Sequence, residues 1–300
     1  MTTMSEERRV AMTVSCTDTD YIPKVDDAGS VFETSNGRQV QVMHNGIKVY
    51  ADGYYGPFIT QIVKKLGGHH EPQEEKVFFE VLKKVGPDSS MIELGSYWSY
   101  YSLWFQQAIC GAKNYMVEPE LENLELGKQN FDMNNAEGIF EHAFVGDVAD
   151  HSSTPHTISV DSIIEKHDIE KVAILHSDIQ GFERLMLDGA NNALSKKNVR
   201  FIFISTHGHE LHQRCLTRLK ELRYHLIAKH TPSESFSGDG LIVASAEQEF
   251  DEQITISHRG HSSMGFNESI RWSLYRIGVY AALSAVFAKR YPAPVHRILR

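Results

Sequence analysis

Between residues 90 and 245, short apolar runs alternate with helical stretches, and this alternation restricts the fold more than any other feature of the sequence. Because only the polar loop TPSESFSGDG joins the last two runs, we expect an antiparallel strand at one edge. Otherwise the alternation predicts a doubly wound, mostly parallel α/β sheet with helices on both faces. Seven runs have the length of buried strands: MIEL, NYMVEPE, IFEHAFVG, VAILHSDI, RFIFIST, YHLIAKH and GLIVAS.

The chain divides into three predicted regions. Residues 1–70 form an N-terminal extension, residues 71–248 form the α/β domain, and residues 249–300 form a helical tail. In the extension, polar and apolar residues alternate around an Asn-Gly pair, which is a hairpin signal. The loop that follows contains Tyr54 and Tyr55, which either belong to a lid or are exposed aromatic residues.

The charge balance argues against a general nucleic-acid-binding function. The chain has 30 Lys and Arg against 39 Asp and Glu, a net charge of −9, whereas binding to phosphates requires a basic surface. The three cysteines form no metal-type or redox-type pair. No apolar stretch typical of a signal peptide opens the sequence, and no apolar run reaches about 18 residues. We therefore expect a cytoplasmic protein without a membrane-spanning helix.

The end of the chain differs from the rest in charge. After Glu268 there is no acidic residue, but there are six basic ones, and residues 270–300 also contain a short apolar run with helical spacing. Such a helix either packs on the domain, lies on an anionic membrane surface, or contacts another subunit or an acidic partner. The oligomeric state cannot be read from this pattern.

The first predicted strand of the α/β domain ends in a carboxylate and a glycine. In open parallel sheets, ligands bind beyond the carboxyl ends of the strands, so Glu93, Gly95 and Ser96 lie at the expected site. Glu118 ends the next strand, where an acidic residue can accept hydrogen bonds from both hydroxyls of a ribose. Two acidic strand ends in these positions indicate an adenosyl ligand.

The loop after the first strand narrows the choice of adenosyl ligand. A dinucleotide site requires Gly-x-Gly-x-x-Gly, so that a pyrophosphate can rest on the helix N-terminus. Here one glycine is followed by Ser, Tyr, Trp and Ser, and Glu93 would repel a pyrophosphate. A nicotinamide-dependent oxidoreductase is therefore disfavoured. The carboxylate favours a ligand with a sulfonium and an ammonium group, and S-adenosylmethionine has both.

The stretch from residue 172 to residue 194 resembles the FkbM family of S-adenosylmethionine-dependent methyltransferases. That family has a strand running into Lys-Ile-Asp-x-Glu-Gly-x-Glu and a helix ending near Leu-x-Gly-Ala, and this chain has LHSDIQGFE followed by LDGA. MIELGSYWSYYSLWF and YMVEPE resemble the first and second motifs, so the resemblance spans residues 70–245. The chain departs from the family pattern at His176, Gln180 and Ser99, which stand where the family has Lys, Glu and Gly.

The resemblance implies a Rossmann-like methyltransferase fold and roles for individual residues. Glu93, Gly95, Ser96 and Glu118 would hold the methionine and ribose parts of S-adenosylmethionine. Phe144 and Val145 would pack on the adenine. Gln73 or Glu74 would reach the amino-acid end of the cofactor, and Asp178 would face the reaction centre. Gln73 and Glu74 have an alternative interpretation as a solvated first helical turn whose acid favours the helix dipole.

A cluster of polar residues at the fourth and fifth strand ends is the candidate catalytic group. His207 follows the fifth strand and is a candidate general base beside Asp178, since histidine titrates near neutral pH. Alternatively, Asp178, His207 and Glu210 hold Mg²⁺ or another divalent ion, or they are ordinary polar residues at loop ends. The expected reaction is O-methylation of a hydroxyl on a small molecule, glycan or natural product. The alternative is a non-catalytic protein that retains the fold to bind a nucleotide or a partner.

Overall fold

The computed structural model describes residues 5–260. Within this range the helices are α1 (Glu6–Val14), α2 (Pro57–Lys65), α3 (Pro72–Leu82), α4 (Tyr100–Ala108), α5 (Leu121–Met133), α6 (Val160–Lys166), α7 (Glu183–Gly189), α8 (Asn191–Ser195) and α9 (His209–Glu221). The strands are β1 (Val31–Glu33), β2 (Gln39–Val42), β3 (Lys48–Tyr50), β4 (Ser90–Leu94), β5 (Lys113–Glu118), β6 (Ile139–Val145), β7 (His156–Ile158), β8 (Val172–Ser177), β9 (Val199–Thr206), β10 (His225–His230) and β11 (Gly240–Ser245).

The central sheet has the order β10-β11-β9-β8-β4-β5-β6-β7. Strands β7, β6, β5, β4, β8 and β9 pair in parallel, and β11 lies antiparallel to both β9 and β10. All seven predicted strands form, and the antiparallel edge is confirmed. The three-residue strand β7 adds an eighth at the opposite edge; it is too short to give a periodic signal in the sequence.

Helices cover both faces of this sheet, and alternate strand residues supply the two cores. Met91 and Phe203 pack on the face that carries α3 and α4, while Ile92, Leu94 and Ile202 pack on the face that carries α7 and α9. Burial on both faces explains why these strands read as continuous apolar runs rather than as alternating ones. Glu93 interrupts its run on the α3 side, one residue before the carboxyl end of β4.

The region before the domain is ordered around its own small sheet. Strands β1, β2 and β3 form an antiparallel three-stranded sheet, and the β2–β3 pair is the hairpin predicted from the sequence. Helices α1 and α2 contact each other around Val10 and Ile62. The loop from residue 51 to residue 56 joins β3 to α2, and its Tyr54 and Tyr55 lie beside residues at the carboxyl ends of the central strands.

The predicted basic tail lies outside the described residues from residue 261 onward. The proposed helix within residues 270–300, and its membrane or subunit contacts, therefore remain predictions. In the part of the chain that the structure describes, no helix is both long enough and apolar enough to cross a membrane.

Candidate active site

A cavity of about 380 Å³ opens at the carboxyl ends of β4, β5, β6 and β8. Its position is the one expected for a parallel sheet, in the crevice beyond the strand ends. Seven of the residues predicted from the sequence line it: Glu93, Gly95, Ser96, Glu118, Phe144, Val145 and Asp178. Gln73, His207 and Glu210 are not among the lining residues.

Glu118 ends β5 and is held by backbone amides. The amide N–H of Tyr97 donates to its Oε2 at 3.0 Å, and the amide N–H of Glu120 donates to its Oε1 at 3.0 Å. Burial raises the pKa of Glu118 to about 7, although these hydrogen bonds oppose the shift. The carboxylate is therefore fixed in orientation and sits at the cavity wall, where it can accept further hydrogen bonds.

Glu93 lies on the neighbouring strand and is only 3% exposed. The amide N–H of Ser102, in α4, donates to its Oε2 at 3.1 Å. Burial raises the pKa of Glu93 to about 7, against the opposing influence of His176, with which it is paired in register. A buried carboxylate with this environment gains from the arrival of a cation.

Gly95 is required by the packing of two strand ends against each other. Its φ is +73°, and a Cβ at this position would lie 2.0 Å from the carbonyl oxygen of Asp178. The amide N–H of Asp178 in turn donates to the carbonyl of Leu94 at 2.9 Å. Four residues on, Ser99 adopts a left-handed conformation with φ 59° at the start of α4, which is the geometry that a glycine would take without strain.

The first turn of α3 is buried, so the interpretation as a solvated turn is wrong. Gln73 accepts from the amide of Phe236 at 2.8 Å and donates to the carbonyl of Ser257 at 2.6 Å. Both ends of its amide are thus bound to backbone away from the cavity. The neighbouring Glu74 instead contacts the sheet: its Oε1 lies 2.8 Å from His176 Nε2, and its Oε2 accepts from the Ser205 hydroxyl at 2.9 Å.

His176 lines the cavity from β8 and is 4% exposed. Its ring lies 4.3 Å from that of Tyr101 and 6.1 Å from that of Phe203, between centroids, which fixes its plane. Its Nδ1 is buried and has no hydrogen-bond partner among the described residues. Burial by itself would lower the pKa of His176, but the hydrogen bond and charge of Glu74, together with the charge of Glu93, raise it above its usual value.

His207 forms a second ionic cluster, next to the cavity. Its Nδ1 lies 2.6 Å from Glu183, and its Nε2 lies 3.2 Å from Asp178 and 3.4 Å from Asp239. Burial opposes protonation, yet these carboxylates raise the pKa of His207 to about 10. An imidazole that already carries a proton at neutral pH cannot accept one, so this arrangement argues against His207 as the general base.

The structure does not assemble the predicted divalent-ion site. Glu210 is exposed on α9, and it does not join Asp178 and His207 in a ligand-like group. Within residues 5–260, nitrogen and oxygen atoms of His44, His69 and Glu75 do lie within 4.8 Å of one another. The rings of His44 and His69 are stacked at 4.1 Å with an interplanar angle of 18°, so their lone pairs lie in separate, nearly parallel planes and do not converge on one ion.

Aromatic residues that the sequence left ambiguous form one wall of the cavity. Tyr54 stacks on Trp98 with ring centroids 4.5 Å apart and an angle of 6°. The amide of Gln180 donates to the hydroxyl of Tyr55 at 2.8 Å. The Tyr-rich loop thus reaches the cavity, as a lid would, and does not present its aromatic rings to solvent. The tyrosine content of the loop pointed to a functional role, but composition alone does not determine where a loop packs.

Comparison with known sequences identifies part of the domain. Residues 141–226 match the sequence model of the methyltransferase FkbM domain. This stretch includes β6, β8 and β9 and the motif that carried the resemblance. No curated protein sequence matches the chain at a significant level.

Solved structures with a similar arrangement are remote in sequence. A putative S-adenosylmethionine-dependent methyltransferase from Streptococcus mutans is 9% identical, with 82% of each chain covered and a TM-score of 0.42. Precorrin-6y C5,15-methyltransferase from Geobacter metallireducens is 13% identical, covers 56% of this chain and 87% of its own, and has a TM-score of 0.41. TrmK from M. capricolum, in complex with S-adenosylhomocysteine, is 9% identical, covers 74% and 93%, and has a TM-score of 0.40.

The family match and the architecture of the sheet agree with each other. The strand order, the antiparallel β11 and the acidic ends of β4 and β5 agree with the fold that the motifs predicted. Residues 141–226 therefore match the FkbM methyltransferase domain, and the chain has the Rossmann-like methyltransferase fold with a mostly parallel central sheet and an antiparallel edge.

Proposed function

We propose that this protein is an S-adenosylmethionine-dependent O-methyltransferase that acts on a hydroxyl of a small molecule, glycan or natural product. The observation that carries the proposal is the pair Glu93 and Glu118, two buried carboxylates at adjacent strand ends in one cavity. Neither has a Lys or Arg partner, and no Lys or Arg lines this cavity within the described chain. A site of this charge suits a cationic ligand and disfavours a pyrophosphate.

The lining residues fit the parts of the cofactor. Glu118 is held by two backbone amides and would accept the ribose hydroxyls, while Phe144 and Val145 offer apolar surface for the adenine. Glu93 would stabilise the positive charge at the methionine end. Once bound, S-adenosylmethionine supplies a methyl group activated by its sulfonium centre, so the protein's own task is to align the acceptor and receive its proton.

We assign Asp178 as the general base that receives the proton of the acceptor hydroxyl. It lines the cavity at the end of β8, next to Gly95. His207, protonated and 3.2 Å from Asp178, would position this carboxylate rather than act as the base. The acceptor hydroxyl would thus lose its proton to Asp178 as the methyl group is transferred.

A non-catalytic role is the second candidate, and the departures from the family pattern favour it. His176 and Gln180 replace the family's Lys and Glu in the motif that carries the resemblance. A protein that binds an adenosyl ligand but transfers no methyl group would have the same cavity. The two candidates differ only in turnover, so a binding experiment has to come before an activity screen.

The first experiment is calorimetric titration with S-adenosylmethionine and S-adenosylhomocysteine. We expect the wild type to bind both and Glu118→Ala to bind them roughly 100-fold more weakly, since two hydrogen bonds to a charged group are lost. Glu122→Ala, which removes an exposed acid four residues away, in the first turn of α5 and outside the cavity, is the matched control and should bind normally. Absence of binding to the wild type, or tight binding of NAD instead, would refute the proposal.

A second measurement separates the enzyme from the non-catalytic protein. Acceptors bearing hydroxyl groups are incubated with S-adenosylmethionine, and methylated products are detected by mass spectrometry. Asp178→Asn should retain affinity for S-adenosylhomocysteine and lose most of its kcat. Cofactor binding without methylation of any acceptor class would favour the non-catalytic role.

A further inference from the structure

The amino-acid end of S-adenosylmethionine carries a carboxylate, and the cavity offers it few cationic partners. Besides the acids and aromatic residues, two histidines line the cavity in the described chain, His70 and His176. A carboxylate brought into a cavity with several acidic residues needs a cation or a strong hydrogen-bond donor. The described lining also has neutral donors such as Ser96, Asn123 and Gln180, but these two histidines are its side chains that can carry a positive charge, so they are the candidate cationic partners.

Strand order predicts which side of the cavity receives this end of the ligand. The order is β8-β4-β5-β6, and the ribose and adenine candidates Glu118, Phe144 and Val145 belong to β5 and β6. Adjacent strands are about 4.8 Å apart, so β6 and β8 are separated by about 14 Å. A ligand with its adenine at β6 extends across β4 and ends over β8, which is the strand of His176.

The two histidines differ in how many carboxylates already face their nitrogens. His70 Nδ1 lies 2.6 Å from Glu75, without hydrogen-bond geometry, and its Nε2 lies 3.3 Å from Glu71, so both nitrogens face carboxylates. His176 faces a carboxylate with Nε2 alone, and its buried Nδ1 has no partner within residues 5–260. A buried polar group without a partner is costly and is frequently completed by a ligand.

The surroundings of His176 favour its cationic form. Glu74 from α3, Glu93 from β4 and Asp178, directly after β8, are the charged groups that influence it, and the ring packs on Tyr101 from α4. Burial also raises the pKa of Glu74, but the hydrogen bonds from His176 and Ser205 favour its carboxylate form. The carboxylate accepts a hydrogen bond from Nε2–H of His176, and protonation of the ring adds a donor at Nδ1. Ser205 holds the other oxygen of Glu74 and so fixes the orientation of the pair.

We propose that His176 binds the carboxylate of the methionine part of the methyl donor, with Nδ1–H as the donor and Glu74 as the residue that orients the ring. This assignment rests on the proposed function, since it assumes that S-adenosylmethionine is the ligand. It gives a role to the position where the family has Lys: a different side chain supplies the positive charge there. The chain thereby discriminates between adenosyl ligands that carry the carboxylate and those that lack it.

The test compares S-adenosylhomocysteine with its decarboxylated analogue, which keeps the amine and lacks only the carboxylate. Calorimetry is run on the wild type, His176→Gln and His176→Lys, with thermal unfolding as the check on folding. We expect the wild type to bind S-adenosylhomocysteine roughly 10- to 100-fold more tightly than the analogue, as a charge-assisted hydrogen bond provides. His176→Gln should lose this preference and His176→Lys should retain it. His70→Gln is the control for a buried lining histidine and should keep the preference.

Each outcome decides between distinct conclusions. An equal loss of affinity for both ligands in His176→Gln shows that the ring is structural and overturns the assignment. Unchanged affinity for S-adenosylhomocysteine in His176→Gln also overturns it, while the proposed function stands. If neither ligand binds the wild type, the proposed function itself fails. Should His176→Gln not fold, His176→Lys still decides, since loss of the preference in a folded lysine variant contradicts the proposal.

Discussion

Two histidines, the buried His176 and the half-buried His207, lie at neighbouring strands of the same sheet edge and differ in how many carboxylates surround them. His207 has Glu183 on one nitrogen and both Asp178 and Asp239 on the other. His176 is bonded to Glu74 alone, and its second nitrogen has no partner in the described chain. The comparison teaches that a saturated ionic cluster stabilises the fold, while an unsaturated one retains the capacity to bind a ligand.

The difference follows from where the two residues stand in the fold. His176 lies inside β8, between aromatic rings that leave room for a single carboxylate from α3. His207 follows β9 in a turn, where the start of α7 and the loop before β11 bring their own acids. The turn after β9 therefore brings acids from several elements to His207, whereas the groups packed around His176 are mostly aromatic.

The largest expected effect comes from Gly95, which connects the two clusters. A Cβ added at Gly95 would collide with the carbonyl of Asp178, whose side chain contacts His207. Gly95 also lies two residues after Glu93, which is paired in register with His176. We expect Gly95→Ala to lower the free energy of unfolding by about 3–5 kcal/mol and to abolish cofactor binding. Chemical denaturation measures this. Gly86→Ala, where no atom lies within 4 Å of the new methyl group, should change stability by less than about 1 kcal/mol. Equal stabilities would disprove the close approach.

The second-largest expected effect is a loss of folding stability when His207 is replaced. Removing its charge leaves Glu183, Asp178 and Asp239 facing one another, so His207→Ala should lose about 2–4 kcal/mol at neutral pH. The pKa of His207 is raised from 6.5 to about 10 in the fold. Its stabilising contribution is therefore complete below pH 6.5 and is lost as the pH rises through 10.

The pH dependence is the measurement that isolates this cluster. Unfolding free energies of the wild type should fall between pH 6.5 and pH 10, and those of His207→Ala should fall less over the same window. The exposed His209, two residues away, provides the control, and His209→Ala should follow the wild type. The affinity of His207→Ala for S-adenosylhomocysteine should differ from that of the wild type much less than the affinity of His176→Gln does. A strong loss of affinity with unchanged stability would reverse the roles assigned to the two histidines.

The smallest expected effect sharpens the comparison at Glu74. Glu74→Gln can keep the hydrogen bonds to His176 and Ser205 but removes the negative charge, so the pKa of His176 falls. We expect affinity for S-adenosylhomocysteine at pH 8 to drop by roughly threefold to tenfold, with a smaller loss at lower pH, where protonation of the ring is favoured. The decarboxylated analogue should show no such change. Equal affinities for wild type and variant at both pH values would remove Glu74 from the account of binding.

Much of the site was predictable from the sequence because parallel strands share one functional edge. Glu93, Glu118 and Asp178 each end an apolar run, and a doubly wound sheet brings such ends together without further information. Six predicted strands, the antiparallel β11 and the cavity at this edge follow from the same pattern of runs. Recognising this pattern requires only two local properties of the sequence: the length of the apolar runs and the helical stretches that separate them.

Other parts of the site depend on contacts that no local pattern contains. Gln73 and Glu74 are neighbours on the first turn of α3, about 100° apart around the helix, so the docking angle of the helix alone decides which of them reaches the sheet. The bond between Glu74 and His176 spans 102 residues. The cluster that keeps His207 protonated likewise joins three separate elements.

The sequence by itself therefore determined the succession of strands and helices along the chain, the sheet edge that carries the site and the acidic residues at that edge. The tertiary structure decided which histidine is saturated and which remains open, where the tyrosine loop lies, and which side of α3 faces the sheet. The physical reason is that strand and helix periods are local properties of the chain. Partner counts, burial and the resulting pKa shifts arise from packing between distant segments.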